Sequence, residues 1–334
     1  MLLIPQTGAG ANWSDELAPE LEWIDQSFPG ELGILVTNLE SDESAGVRAD
    51  EVWYLASVIK VPVAVAVLEA VDQGDLALDS RIELEAADFV DGAGEINWHS
   101  PGDKVSVDRL MEQMLIHSDN TATDVLIRQV GEERVNEVAA RAFSERAGRI
   151  TTLKDVRRHA YSGFHEDAMG LSGDAFFELK KAEGESATLD ALAGALDQPR
   201  DDFQVDSLEA AFGQYYEDGL NSAPLTEARE LFSQVHEGAG LSDDSHEYLL
   251  DHLERIKTGN NRIKAGLPDD ARFQHKTGTQ YRRACNMGVV ERDGADPVFV
   301  AVCTRGIQDV AESESAMCEV ARAVTDSGVL EARD

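Results

Sequence analysis

Positive charge is scarce in this sequence of 334 residues. Only 29 residues are lysine or arginine, against 64 aspartates and glutamates, and eight of the 29 are lysine. The formal net charge of -35 opposes binding to nucleic acid and to anionic membranes, because both are polyanions. We therefore expect neither as a partner.

Cysteine is rare as well, and no metal-binding pattern is present. The three cysteines, Cys285, Cys303 and Cys318, lie near the C-terminus without CxxC spacing. We expect small buried side chains, and a bridge between Cys285 and Cys303 on neighbouring strands stays open. The histidines form no HExxH motif, so the sequence predicts neither a metal nor another cofactor.

Long hydrophobic runs are missing too. No stretch reaches the roughly 18 apolar residues of a membrane-spanning helix, and residues 1–5 lack the basic start of a signal peptide. We expect a soluble chain and leave its location open.

The acidic surplus is spread along the whole chain. Such a surface repels itself in dilute buffer, whereas dense counterions screen it in concentrated salt. The composition favours a surface adapted to high salt; the alternative is an acidic protein from an ordinary cytosol.

Apolar patterning predicts strands at both ends of the chain and helices between them. We expect a hairpin of strands 31–40 and 51–55, then helices at 57–73, 106–117, 121–130, 131–143, 225–238 and 242–257, and finally strands 272–280, 284–291 and 297–304 and a helix at 310–324. This order predicts an α/β sheet domain built from residues 1–55 and 260–334. Residues 56–259 would form an all-helical domain.

Three short motifs lie at chemically useful places in these elements. Ser57 and Lys60 are three residues apart at the start of an apolar helix, which lets a lysine amine reach a serine hydroxyl. Ser118-Asp119-Asn120 follows the end of a helix, and Lys276-Thr277-Gly278 lies on the first C-terminal strand. Each motif alone is weak, but their order and spacing are specific.

Together the three motifs resemble the signature of class A β-lactamases and related penicillin-recognising serine hydrolases. The resemblance covers most of the chain. It implies a two-domain fold in which an antiparallel sheet flanked by helices adjoins an all-helical domain. It also implies a monomer that acts on a small-molecule β-lactam or related amide through an acyl-serine intermediate.

The resemblance assigns the catalytic roles. Ser57 would be the nucleophile and Lys60 its base, because a serine hydroxyl is a weak nucleophile until a base removes its proton. Ser118 would relay a proton to the leaving nitrogen. Lys276 would keep the cleft positive for a substrate carboxylate.

Further residues would bind the substrate. The backbone N–H groups of Ser57 and Thr279 would form the oxyanion hole. Asn120 and Thr277 would hold the substrate amide and carboxylate, and Gly278 would let the ligand approach the strand.

Three arginines near the third motif, Arg262, Arg282 and Arg283, are further candidates for binding the carboxylate, although a solvated surface role is the alternative for each.

One feature departs from that family. The resemblance requires a deacylating glutamate after the second motif, but alignment from Thr151-Thr152-Leu153 places Arg157 there, at the start of an insertion over residues 154–222. Glu166 and Glu209 are candidate replacements. His117 and His275 flank the motifs and are expected to be packing residues.

The missing glutamate leaves other functions open. A D-amino-acid peptidase or esterase on the same scaffold is one alternative, and a sensor that releases a bound penicillin slowly is another.

The high-salt interpretation predicts a stability effect. The midpoint of thermal unfolding should rise steadily from dilute buffer to molar KCl, because counterions screen the repulsion between the acidic residues. Calorimetry at several salt concentrations measures this midpoint. A midpoint that is independent of salt would support the ordinary acidic protein instead.

Overall fold

The structure is a computed structural model that describes residues 12–332. The expectations for residues 1–11 and 333–334 lie outside the described residues.

Residues 12–332 form nine β-strands and twelve α-helices. The strands are β1 (Glu31–Asn38), β2 (Ser44–Val47), β3 (Val52–Tyr54), β4 (Arg81–Glu83), β5 (Lys104–Ser106), β6 (Ser222–Pro224), β7 (Arg272–Gln280), β8 (Arg283–Glu291) and β9 (Val298–Arg305). The α-helices are α1 (Trp13–Ser27), α2 (Lys60–Asp72), α3 (Val107–Ile116), α4 (Asn120–Val130), α5 (Glu132–Ala139), α6 (Leu153–Ser162), α7 (Gly173–Lys181), α8 (Glu185–Leu196), α9 (Leu208–Glu217), α10 (Leu225–His236), α11 (Asp243–Glu254) and α12 (Val310–Asp326).

Five strands form one antiparallel sheet in the order β2-β1-β9-β8-β7. The central strand β9 pairs along its whole length with both β1 and β8. It is buried on both faces, which explains its nearly continuous apolar sequence. The strand that carries the third motif, β7, lies at the edge of the sheet.

Helices cover both faces of this sheet. On one face α1 and α12 bury a cluster that includes Leu21, Val300 and Met317. On the other face a larger cluster joins the sheet to the helical part of the chain. The expected fold class, an antiparallel sheet with flanking helices and a mainly helical second part, is confirmed.

The apolar helix α2 lies at the centre of the helical part. Its residues from Lys60 to Leu68 are all buried, in keeping with a helix that is hydrophobic on every side. The helix is preceded by a 3-10 turn over Ala56–Ile59, so Ser57 lies in this turn and not in the predicted helix.

The insertion 154–222 folds around a small core of its own. Helices α6 to α9 bury an apolar cluster that contains Phe164, Phe176, Leu192 and Ala211. The expected alternation of short helices and loops is confirmed here.

Two local expectations were wrong. β1 forms its hairpin with β2, while β3 pairs with the distant β6. Gly33 on β1 leaves room for the Trp53 side chain of β3, because a Cβ at position 33 would lie 2.3 Å from the Trp53 ring. Helix α1 was not predicted, and the segment expected to be all-helical also contains β4, β5 and β6.

Cys285 and Cys303 are not free thiols. They lie opposite each other on β8 and β9 and form a disulfide, whereas Cys318 is free and buried. All three side chains are buried, as expected, and the bridge that the sequence left open is present.

No helix in residues 12–332 is long and apolar enough to cross a membrane. In the same part of the chain no cluster of His, Cys, Asp and Glu side chains is arranged to hold a metal ion.

The disulfide predicts the number of titratable thiols. Protein denatured without reductant should expose one thiol per chain, from Cys318, and three after reduction. Titration with a chromogenic thiol reagent counts them. Three thiols before reduction would show that the bridge is absent.

Candidate active site

Ser57 is held at a strained point of the chain. The preceding residue, Ala56, has φ 48°, a left-handed conformation that costs roughly 1–2 kcal/mol for a residue other than glycine. Ser57 itself is half-buried, and its hydroxyl makes no hydrogen bond within residues 12–332. The hydroxyl is therefore available to a substrate.

Ser118 also has a left-handed conformation, with φ 60°. It lies between α3 and α4, and the next residue, Asp119, caps α4 by accepting a hydrogen bond from Ala122 N at 2.8 Å. The other carboxylate oxygen of Asp119 accepts from Ile96 N at 2.9 Å. These two bonds fix the turn that presents the Ser118 side chain.

Lys60 links the first two motifs. Its buried Nζ donates to Ser118 O at 2.7 Å, to Ser118 Oγ at 3.2 Å and to Asn120 Oδ1 at 2.8 Å. The lysine that the sequence singled out therefore binds the second motif through its side chain.

Lys276 brings the third motif to the same hydroxyl. Its Nζ donates to Ser118 Oγ at 3.1 Å, so the two lysines share one oxygen. Gly278 allows this approach of β7, because a Cβ there would lie 2.4 Å from Leu55 O and 3.0 Å from Ser57 N. A side chain at position 278 would push the strand away from Ser57.

Burial and mutual repulsion make it unfavourable for both lysines to be charged at once. Burial lowers the pKa of Lys60 to about 7, although Asp119 and Asp124 act in the opposite direction. Burial and then the charge of Lys60 lower the pKa of Lys276. A neutral lysine amine near pH 7 has a lone pair and can accept a proton.

A buried arginine supports β7 from behind. Arg262 donates to Gly278 O at 3.0 Å and to Thr279 Oγ1 at 2.7 Å, and it pairs with Glu314. Thr277 forms a hydrogen bond with the Thr258 hydroxyl. The structure thus brings Arg262 to the back of the third motif, where its N–H groups bind protein atoms.

Arg283 lies elsewhere. Its guanidinium stacks over the Tyr216 ring, 4.5 Å from the ring centroid, and it donates to Arg282 O. None of its contacts is to the lysines or to Ser118. The sequence placed it near the third motif correctly but could not show that it lies beyond the turn that ends β7.

Arg157 forms an ion pair with a residue that the sequence did not indicate. Its Nε and Nη2 donate to the two carboxylate oxygens of Asp91 at 2.7 and 3.2 Å. Asp91 O in turn accepts from Asn120 Nδ2 at 2.9 Å. Asp91 and Asn120 therefore connect Arg157 to Lys60 through hydrogen bonds. The resemblance implies a glutamate at the position of Arg157.

Neither candidate replacement glutamate joins the cluster. Glu209 is exposed and forms an ion pair with Arg282, and Glu166 is exposed on the insertion. No carboxylate in residues 12–332 forms a hydrogen bond or ion pair with Lys60, Ser118 or Lys276.

Within residues 12–332 no hydrogen bond joins the side chains of the two flanking histidines to Lys60, Ser118 or Lys276. His275 is buried against the Phe273 ring at 4.4 Å, and burial lowers its pKa to about 3, which keeps it neutral. Its Nδ1 accepts from Asn286 Nδ2 at 3.0 Å. His117 is half-buried at the end of α3.

Asp91 and Asp124 are site residues that sequence reasoning missed. Asp124 is buried and accepts from Leu153 N at 2.6 Å and Lys154 N at 3.0 Å, which anchors the helix that carries Arg157. Nothing in the sequence distinguishes these two aspartates from the many acidic residues of the surface.

The environment of Lys60 predicts a lysine that titrates near neutrality. In an NMR pH titration of lysines labelled at Cε, one of the eight resonances should have a midpoint near 7. Lys60→Arg should remove it, whereas Lys104→Arg on the surface should not. If every lysine titrated above about 9, the usual range for an exposed amine, the buried amine would not be a base.

Comparison with known proteins assigns this arrangement to a family. The family model described as the β-lactamase enzyme family matches residues 16–327. β-Lactamase SME-1 of Serratia marcescens is 28% identical over 96% of this chain and 92% of its own length.

Solved structures agree. A variant of the last common ancestor of Gram-negative bacteria β-lactamase class A is 25% identical and covers 93% of this chain and 97% of its own, with a TM-score of 0.69. A point mutant of PBP-A, solved as an acyl-enzyme complex with penicillin G, is 21% identical and covers 93% of this chain and 95% of its own, with a TM-score of 0.67. Because the family model spans nearly the whole sequence, the chain belongs to the β-lactamase enzyme family and is a β-lactamase-like serine hydrolase.

Proposed function

We propose that β-lactams or related amides acylate Ser57 and that the acyl group then leaves slowly. The observation that carries the first half is the convergence of Lys60 and Lys276 on Ser118 Oγ, together with the close approach of Gly278 on the same strand to Ser57 N. The second half rests on the ion pair of Arg157 with Asp91, because the resemblance implies a glutamate where Arg157 stands.

In the acylation step Ser57 Oγ attacks the amide carbonyl carbon while its proton passes to neutral Lys60. The C–N bond then breaks, and the proton reaches the leaving nitrogen through the Ser118 hydroxyl, which contacts both lysines. The backbone N–H groups of Ser57 and Thr279 stabilise the negative oxygen of the intermediate.

Binding is assigned to the polar groups around this centre. The side chain of Asn120 would bind the substrate amide, and Lys276 and Thr277 would bind its carboxylate. Arg262 positions Thr279 and the carbonyl of Gly278 from behind the strand, so its part is to hold the oxyanion donor in place.

Hydrolysis of the acyl-serine needs a base that activates water. Arg157 cannot serve because it stays protonated, and both carboxylate oxygens of Asp91 accept hydrogen bonds from it. The site therefore contains the groups for acylation without a free carboxylate for the second step.

This deficit favours a second candidate function on the same scaffold. A D-amino-acid peptidase or esterase would use the same acylation groups, whereas slow release of penicillin is the behaviour of a penicillin sensor. The likeness in fold to PBP-A, which was captured as a penicillin G acyl-enzyme, is consistent with either.

Intact mass spectrometry with a penicillin in molar KCl tests the proposal. The wild-type chain should gain the mass of one penicillin, because acylation outpaces release, and Ser57→Ala should gain none. A wild-type chain that neither gains mass nor opens the lactam would contradict the proposal.

Supplying the missing carboxylate should shorten the life of the acyl-enzyme. The double variant Arg157→Glu with Asp91→Asn places one carboxylate at this position without a buried partner. It should release the acyl group about a hundredfold faster than the matched control Arg157→Gln with Asp91→Asn, since general bases contribute about 10²-fold or more. Mass spectra recorded after removal of free penicillin give both rates, and equal rates would exclude this position as the place of the base.

A further inference from the structure

Helix α9 of the insertion carries two adjacent tyrosines, Tyr215 and Tyr216, whose hydroxyl groups bind two different parts of the chain. The Tyr215 hydroxyl donates to Tyr54 Oη at 3.4 Å. Tyr54 is the last residue of β3 and precedes Ser57 by three positions. Tyr215 therefore binds the segment that delivers the nucleophile and its backbone N–H group.

Tyr216 binds the segment on the other side of the proposed oxyanion hole. Its hydroxyl donates to Tyr281 O at 2.6 Å, in the turn that follows β7. Tyr281 follows Thr279, the second proposed oxyanion donor, by two positions. The Phe212 ring, one helical turn before Tyr216, stacks on the Tyr281 ring at 5.1 Å. Helix α9 therefore contacts this turn through a hydrogen bond and an aromatic pair.

Asn221 fixes the direction of the Tyr215 hydrogen bond. Its buried side chain donates from Nδ2 to Tyr215 Oη at 3.0 Å, so the single hydroxyl proton of Tyr215 is left for Tyr54. Burial raises the pKa of both tyrosines, which keeps both hydroxyls protonated. The backbone carbonyl of Asn221 also accepts from Leu55 N at 2.9 Å. The end of the insertion is thus anchored to the segment that leads to Ser57.

The segments that carry the two oxyanion donors belong to different sheets. Strand β3 pairs with β6, whereas β7 pairs with β8. The segments nevertheless approach closely, because a Cβ at Gly278 would lie 3.0 Å from Ser57 N. Oxyanion donors act when their N–H groups lie about 2.7–3.1 Å from the oxygen. The distance between the segments therefore needs a constraint other than a shared strand pairing, and α9 is bound to both.

We infer that Tyr215 and Tyr216 are positioning residues that together set the distance between Ser57 N and Thr279 N. We call this pair the tyrosine clamp. The inference rests on the proposed function, because the oxyanion forms during acylation of Ser57. Each hydroxyl acts through the segment that it binds, and the insertion thereby contributes to acylation.

Phenylalanine variants remove the hydroxyls and keep the rings. Tyr215→Phe and Tyr216→Phe should each lower the second-order rate of acylation by benzylpenicillin about three- to tenfold, the factor that corresponds to one net hydrogen bond. Intact mass spectrometry in molar KCl follows the acylated fraction over time. Tyr248→Phe is the matched control, because it also loses one hydrogen bond, from its hydroxyl to Asp108 Oδ1 at 2.9 Å, but lies in neither segment. Its rate should stay at the wild-type value.

The carbonyl stretch of the acyl-enzyme separates positioning from stability. Hydrogen bonds to the ester carbonyl oxygen lower its stretching frequency, so weaker donation should raise it. Infrared difference spectra with benzylpenicillin labelled with carbon-13 at the lactam carbonyl measure this frequency. Tyr215→Phe and Tyr216→Phe should shift the band to higher frequency. Tyr248→Phe should show the wild-type band even where its midpoint of thermal unfolding falls.

The outcomes separate the two claims. An unchanged acylation rate and an unchanged band in either clamp variant would overturn the tyrosine clamp and leave the proposed function standing, and so would equal changes in Tyr248→Phe. If Tyr215→Phe does not fold, Tyr216→Phe decides alone, because Tyr216 is only half-buried. A wild-type chain that benzylpenicillin fails to acylate would overturn the proposed function and the inference with it.

Discussion

The structure depends on one serine hydroxyl held between two buried lysines. Ser118 Oγ accepts from Lys60 on α2 and from Lys276 on β7, so a single atom joins the helical part to the edge of the sheet. Neither lysine has a carboxylate in direct contact within residues 12–332, and a buried ammonium without such a partner is disfavoured. Burial therefore disfavours the charged form of the lysines, and it favours a neutral amine that can accept a proton.

Other features of the site follow from the need to bring these three elements together. The left-handed residues Ala56 and Ser118 present their turns toward β7. Gly278 lets the strand come close to Ser57 N, and Arg262 holds that strand from behind. Each of these features has a local energetic cost that the surrounding core offsets.

The sequence predicted what depends on local pattern. The long buried strand β9 and the capped helix α3 were placed within a residue of their bounds, because apolar runs and the Ser106 cap are local signals. The pairing of β3 with β6 was missed, since it joins segments far apart in the chain. The Arg157–Asp91 pair was missed for the same reason, because a long-range ion pair leaves no mark in an acidic sequence.

If the proposed function is correct, acylation of Ser57 is faster than release of the acyl group. Pre-steady-state mixing of the wild-type chain with a chromogenic β-lactam measures this most directly. We expect a rapid burst that opens one equivalent of lactam per chain, followed by a much slower steady phase. A linear time course without a burst, at a rate that consumes many equivalents per chain, would contradict it.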